Sequence, residues 1–196
     1  MNKPYSPPTV ENWVTKKFIK ANIIFPSDLK LGQIAQAFGV DYSSWHGKAY
    51  SYKAPDGSGV YIVSNRFESI IQQRKYFFHE LGHILRHCGD QRKMNESFRM
   101  MQEADANLFS MYASIPFHMI NFERGYTLHS IMEEFQVSKE LALKRIEDIR
   151  QKTFWEHKRR RENPKPILHP FNLKNCTDET KRIMAQLSKQ TGVRFL

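Results

Sequence analysis

Cysteine is scarce: the 196 residues hold two, Cys88 and Cys176, too few for a disulfide framework, so a disulfide-stapled secreted scaffold is excluded. Long apolar runs are missing as well. No stretch approaches the roughly 18 uncharged apolar residues of a membrane span, and Met1 to Val10 is polar and proline-bearing rather than signal-like. The expectation is a cytoplasmic protein with no membrane partner. There is no internal repeat and no low-complexity tract. Acid is in deficit, 20 Asp and Glu against 30 Lys and Arg, for a net charge of +10. Much of that excess sits in Lys158, Arg159, Arg160 and Arg161, away from the chemistry, where weak nucleic-acid contact competes with plain solubility.

What is present fills a core, since 40% of residues are hydrophobic and 13% aromatic. From Asn12 to Ala37 the apolar spacing predicts two helices interrupted by Pro26, with Ser27 and Asp28 as caps of the second and Gly39 as its stop. Around Pro55, Asp56, Gly57 and Gly59, the β-forming residues from Lys48 to Ser64 read as a hairpin. A helix should then run from near Asn65, capped by Asn65 with Glu68, to about Cys88, with Gly89 ending it. Another is expected from Glu96 to Ala113, ended by Pro116. Leu128 to Ile149 reads as helix, turn and helix with Ser138 as a cap, a layout like a helix-turn-helix but favoured here as a helical hairpin. Beyond Gln151 come the basic run, the linker-like Asn163, Pro164, Pro166 and Pro170, and a last short helix over Thr177 to Gln190. The expected domains are 1–125, a helical segment 126–151, and a basic, proline-bearing extension 152–196.

The chemistry sits in His79-Glu80-Leu81-Gly82-His83. Imidazoles four residues apart share one helix face and can reach one metal ion, with Glu80 beside them as a general base. Zn²⁺ suits such donors, and a hydrolytic site needs three protein ligands. Alone the motif is short and could be a helix with surface histidines, but Tyr76, Phe77, Phe78, Ile84 and Leu85 set it beside apolar surface where unpaired polar groups would be costly. The third ligand should come from the next helix. Glu103 and Asp105 lie about 200° apart on it, so only one can face the ion. Periodicity favours Glu103, which shares a face with Asn107 and Ser110. His87, two turns beyond His79 on the same face, is read as a structural residue, with a polar wall or a hydrogen-bond donor behind a metal ligand as the alternatives. His46, His118, His129, His157 and His169 have no partner spacing. Tyr61, Tyr112 and His118 are candidates for stabilising an oxyanion, with no signal that singles one out.

Arg74 to His87 and Glu103 to Pro116 resemble the ImmA/IrrE family of metallopeptidases. That pattern is a HELGH helix, a further histidine four residues on, then E-x-x-A-N-x-F and a proline, here His79 to His83, His87, Glu103, Ala106, Asn107, Phe109 and Pro116. The resemblance spans roughly Leu29 to Ile149. It implies an α+β fold, a mostly helical zincin-like core with a small sheet, Zn²⁺ as cofactor, Glu103 as third ligand beside His79 and His83, and Glu80 as catalytic base. It further implies a regulatory endopeptidase of phage or mobile-element type cutting a helix-turn-helix repressor, and a stress-response branch exists. The competing reading is a non-catalytic zinc-containing regulator acting by protein or DNA binding. The chain departs from the pattern, which often has Phe-Ser/Thr-x-Ala before the first histidine, at Lys75, Tyr76, Phe77 and Phe78. Met111 and Tyr112 interrupt the small-residue run after Phe109, and both departures enlarge side chains near the site. Those changes bear on substrate shape more than on metal binding.

Overall fold

The structure, a computed structural model, describes residues 4–54, 59–87, 94–162 and 177–191. Helix α1 (Thr9–Lys20) buries Val14 and Phe18. A 3₁₀ turn at Pro26–Asp28 then leads to the short α2 (Leu31–Ala37). Gly39 ends α2 as expected: its φ is 68°, and the amides of Gly39 and Val40 return to the carbonyls of Gln36 and Ala35, a Schellman stop. The expected start differs. Lys30 occupies the N-cap of α2 without a side-chain bond, because the Asp28 carboxylate is taken by the amides of Ile24 and Phe25.

The hairpin is present as β2 (Tyr50–Lys53) antiparallel to β3 (Val60–Asn65). The described residues also contain β1 (Asp41–Trp45), which pairs parallel with β3 to give the order β1-β3-β2. Nothing in Asp41-Tyr42-Ser43-Ser44-Trp45 announces a strand, since its support is tertiary. Tyr42 turns inward, its hydroxyl 2.8 Å from Ser64 Oγ and its ring edge-on to Phe77.

Helix α3 (Ile70–Arg86) starts later than expected, with Ser69 rather than Asn65 as its cap, Ser69 Oγ accepting from the Gln72 amide. Asn65 still belongs to the sheet opposite Trp45, and its side chain accepts from the Phe67 amide in a local turn that competes with helix initiation. The helix ends at Arg86, with His87 extended. Cys88 and Gly89, like the 55–57 turn, Cys176, His169 and the prolines at 164, 166 and 170, lie outside the described residues. Helix α4 (Glu96–Ser114) is capped by Asn95 and followed by Pro116. The fold is α+β and mostly helical around one small sheet. No described helix is long and apolar enough to cross a membrane.

Helices α5 (Leu128–Phe135) and α6 (Lys139–Glu162) follow one another as expected across Gln136 to Ser138, with Ser138 Oγ accepting from the Leu141 amide. The chain divides into two compact units, Met1–His157 and Lys158–Leu196. The boundaries expected at 125/126 and 151/152 both fall inside the first unit, the second of them inside α6. No Gly or Pro lies between Gly125 and Pro164 to interrupt that helix. In the second unit, α7 (Asp178–Thr191) has Thr177 accepting from the Thr180 amide.

A buried ionic clasp ties α1 to α6. Glu11 and Arg145 are both fully buried and paired, Glu11 also accepting from Tyr5 (2.9 Å) and Lys152 (3.1 Å). Arg145 further donates to Asp148 (2.7 Å) and the Ile115 carbonyl (3.2 Å), and Lys152 to Asp148 and Tyr112. Every charge in the group has an opposite partner, which offsets the desolvation of two ions.

Candidate metal centre and cleft

Two packed helices build the site. On α3, Phe77, Phe78 and Leu81 are buried, which turns His79 and His83 to the edge of the core. On α4 the buried stripe is Gln102, Ala106 and Phe109, and Glu103 and Asp105 flank it on opposite sides. Gly82 lets the helices close: a Cβ there would stand 2.9 Å from Phe109 Cδ1 and 3.3 Å from the Ala106 Cα.

That closeness brings Glu103 to the histidines. His79 Nε2 and His83 Nε2 are 3.1 Å apart, and the Glu103 oxygens lie 3.3 Å from the first and 3.4 Å from the second. These are the one group of three or more metal-capable donors among the described residues. The spacing fits one ion, because a tetrahedron with bonds of about 2.0–2.1 Å has ligand-to-ligand edges of about 3.3 Å. The chemistry fits zinc, with two imidazoles and a carboxylate leaving a fourth position for water or substrate. Burial, and after it the neighbouring His79, lowers the His83 pKa, favouring the neutral imidazole that a ligand must be.

Glu80 points into the same cleft, where Ser51 on β2 donates a hydrogen bond to its carboxylate. The cleft holds about 590 Å³ and is lined from α3 by Tyr76, His79 and Glu80, from α4 by Asn107 and Ser110, and from the start of α6 by Leu141. Asp105 is turned away, paired with Arg86 (2.6 and 2.9 Å) and His87 (3.0 Å). Those Arg86 hydrogen bonds hold its carboxyl below the usual range.

None of the three oxyanion candidates lines the cleft. Tyr61 stacks on Tyr52 in the sheet, Tyr112 belongs to the clasp, and His118 lies 3.0 Å from the Ile23 carbonyl oxygen. Tyr76 lines it instead. Burial, then the adjacent Glu80, pushes its hydroxyl up, so it stays protonated as a donor. The i, i+4 spacing of Tyr76 and Glu80 was the sequence signal for this neighbour; Ser51, reached across the sheet, had none. Elsewhere His46 contacts Arg66 and Phe67, and His129 pairs with Glu133 on the surface.

Residues 35–147 match the family described as IrrE N-terminal-like domain, peptidase M78. The chain is 32% identical over 145 residues to the phage-like element PBSX protein XkdA of Bacillus subtilis (strain 168), covering 70% of this chain and 71% of that one. It is 26% identical over 148 residues to the uncharacterized protein YqaB of the same organism, covering 72% of this chain and 84% of that one. No solved structure matches significantly. The family match takes in α3, α4 and both sides of the cleft, and the chain belongs to the peptidase M78 family of IrrE N-terminal-like domains.

Proposed function

We propose that this chain is a zinc-dependent endopeptidase whose substrate is a protein, a helix-turn-helix repressor of phage or mobile-element type. The observation that carries the reading is the triangle of His79, His83 and Glu103 donors, edged like a zinc tetrahedron, with the Glu80 carboxylate beside it in an open cleft. Bound there, zinc supplies Lewis acidity and acidifies a water molecule. Glu80 takes the proton as the water oxygen adds to the scissile carbonyl carbon, then delivers it to the amide nitrogen as the C–N bond breaks. Ser51 orients that carboxylate, and we assign the Tyr76 hydroxyl, which lines the cleft beside Glu80, as donor to the carbonyl oxygen. Similarity to a protein of a phage-like element supports the phage or mobile-element association, and the repressor is the substrate class we assign from it.

DNA reading by the α5–α6 segment is disfavoured by the place of α6. In a DNA reader the first turns of the second helix enter the groove, whereas here Ser138, Glu140, Leu141 and Lys144 line the cleft. The basic run Lys158 to Arg161 stays proposed for weak nucleic-acid contact.

The deciding experiment co-expresses a candidate repressor from neighbouring genes with wild type or Glu80→Gln. Glu80→Gln should keep fold and zinc, and lose cleavage by at least ~10²–10⁴-fold, the worth of general-base help. Equal release of the repressor by both, without a cut, would replace the peptidase with the binding reading.

A further inference from the structure

A second set of contacts leaves the metal centre on its far side. With Nε2 of His83 turned to His79 and Glu103, its other nitrogen, Nδ1, lies 2.9 Å from Nδ1 of His87. His87 Nε2 in turn lies 3.0 Å from Asp105 Oδ2, and Asp105 receives two hydrogen bonds from Arg86. Arg86 is itself held against α1, its guanidinium carbon 5.6 Å from the centre of the Trp13 ring.

With Asp105 ionised and His87 neutral, one direction of donation along this row follows. An ionised carboxylate only accepts, so the proton on the His87 side of that contact belongs to His87 Nε2. A neutral His87 then offers a bare Nδ1, and a hydrogen bond at 2.9 Å requires the proton on His83 Nδ1. That leaves His83 Nε2 with its lone pair, pointing at Glu103 and His79. The reverse arrangement, a doubly protonated His87 donating to His83 Nδ1, would put the His83 proton on Nε2 and block the site.

We infer that His87 and Asp105 are positioning residues that fix His83 as its Nδ1–H tautomer and aim its Nε2 lone pair into the metal centre. The inference rests on the zinc reading of His79, His83 and Glu103. The fold gives it a simple origin. Because Glu103 and Asp105 flank one buried stripe of α4, one carboxylate reaches the ion's position while the other reaches the histidine behind it.

Chelator competition measures zinc affinity of the full chain and its variants, and long-range ¹H–¹⁵N spectra of the metal-free protein read the His83 tautomer. His87→Phe keeps the bulk and removes the relay. It should bind zinc about 10–100-fold more weakly, and His83 should lose its Nδ1–H preference. His87→Gln, whose amide oxygen can accept from His83 and whose NH₂ can donate to Asp105, should recover most of both. A folded His87→Phe with wild-type affinity and tautomer overturns the relay, as does a wild-type His83 protonated on Nε2. If His87→Phe does not fold, Asp105→Asn is scored on the same two readouts. A wild-type chain that binds no zinc at these residues would overturn the zinc reading itself, a separate failure.

Discussion

Gly82→Ala isolates how tightly α3 and α4 must approach for His79, His83 and Glu103 to come together. In an unconstrained helix the change would stabilise by about 1 kcal/mol through helix propensity. Here the new methyl would stand 2.9 Å from Phe109 Cδ1 and 3.3 Å from the Ala106 Cα, against the ~3.5–4.0 Å of a comfortable carbon contact. Phe109 cannot swing aside, being almost fully buried with its ring 6.1 Å from that of Trp13, and Ala106 is backbone. The helices must therefore separate by several tenths of an ångström. Overpacking of this kind costs about 1–3 kcal/mol, so after the propensity gain the net loss is about 0–2 kcal/mol. Thermal unfolding should show a fall of up to about 8 °C at ~2–4 °C per kcal/mol. The larger effect should be on zinc affinity, because Glu103 moves with Ala106 and its two ~3.3 Å edges to the histidines widen together. Chelator competition on metal-loaded protein reads this directly. A Gly82→Ala chain with wild-type zinc affinity would refute the claim that helix spacing, rather than side-chain rotation of Glu103, sets the site.

Glu11→Ala should cost about 3–5 kcal/mol because it leaves Lys152 and the buried Arg145 to share one carboxylate, Asp148, while Glu11→Leu with Arg145→Met should cost less than the sum of its parts; additive losses in denaturant unfolding would contradict the clasp. A chain ending at His157 should melt near the full-length protein. One ending at Gln151 should melt lower, for want of Lys152 between Glu11, Asp148 and Tyr112, and equal melting would count against that role. Asp105 should show in the acid limb. Its folded pKa is depressed, so its stabilisation is complete above the unfolded value of about 3.9 and is lost as pH falls through the folded value. The melting difference between wild type and Asp105→Asn should close over that range; a constant gap down to pH 2 would exclude the linkage.

The grouping of His79, His83 and Glu103 was legible because its geometry is local: two histidines one helical turn apart, and a carboxylate whose face on the following helix follows from period 3.6. The hairpin, the stop at Gly39 and the Ser138 cap were legible for the same reason. What escaped depends on distant partners. Strand β1 is polar and is held by Tyr42 reaching Ser64, the start of α3 was displaced by the pairing of Asn65 with Trp45, and the cap offered by Asp28 was spent on the amides of Ile24 and Phe25. The extension placed after Gln151 began too early because a basic run reads as a tail, whereas Lys152 is drawn into the core by Glu11.

The clasp also has a consequence in time. Glu11 and Arg145 are separated by 134 residues. At ~5–20 residues per second of synthesis, about 7–27 s pass between the appearance of the acid and that of its partner. Through that interval the carboxylate sits on the same helix as Val14 and Phe18, and burying it alone would cost more than those two side chains return. Helix α1 is thus made well before it is sealed, and the emergence of α6 is the event that closes its buried face.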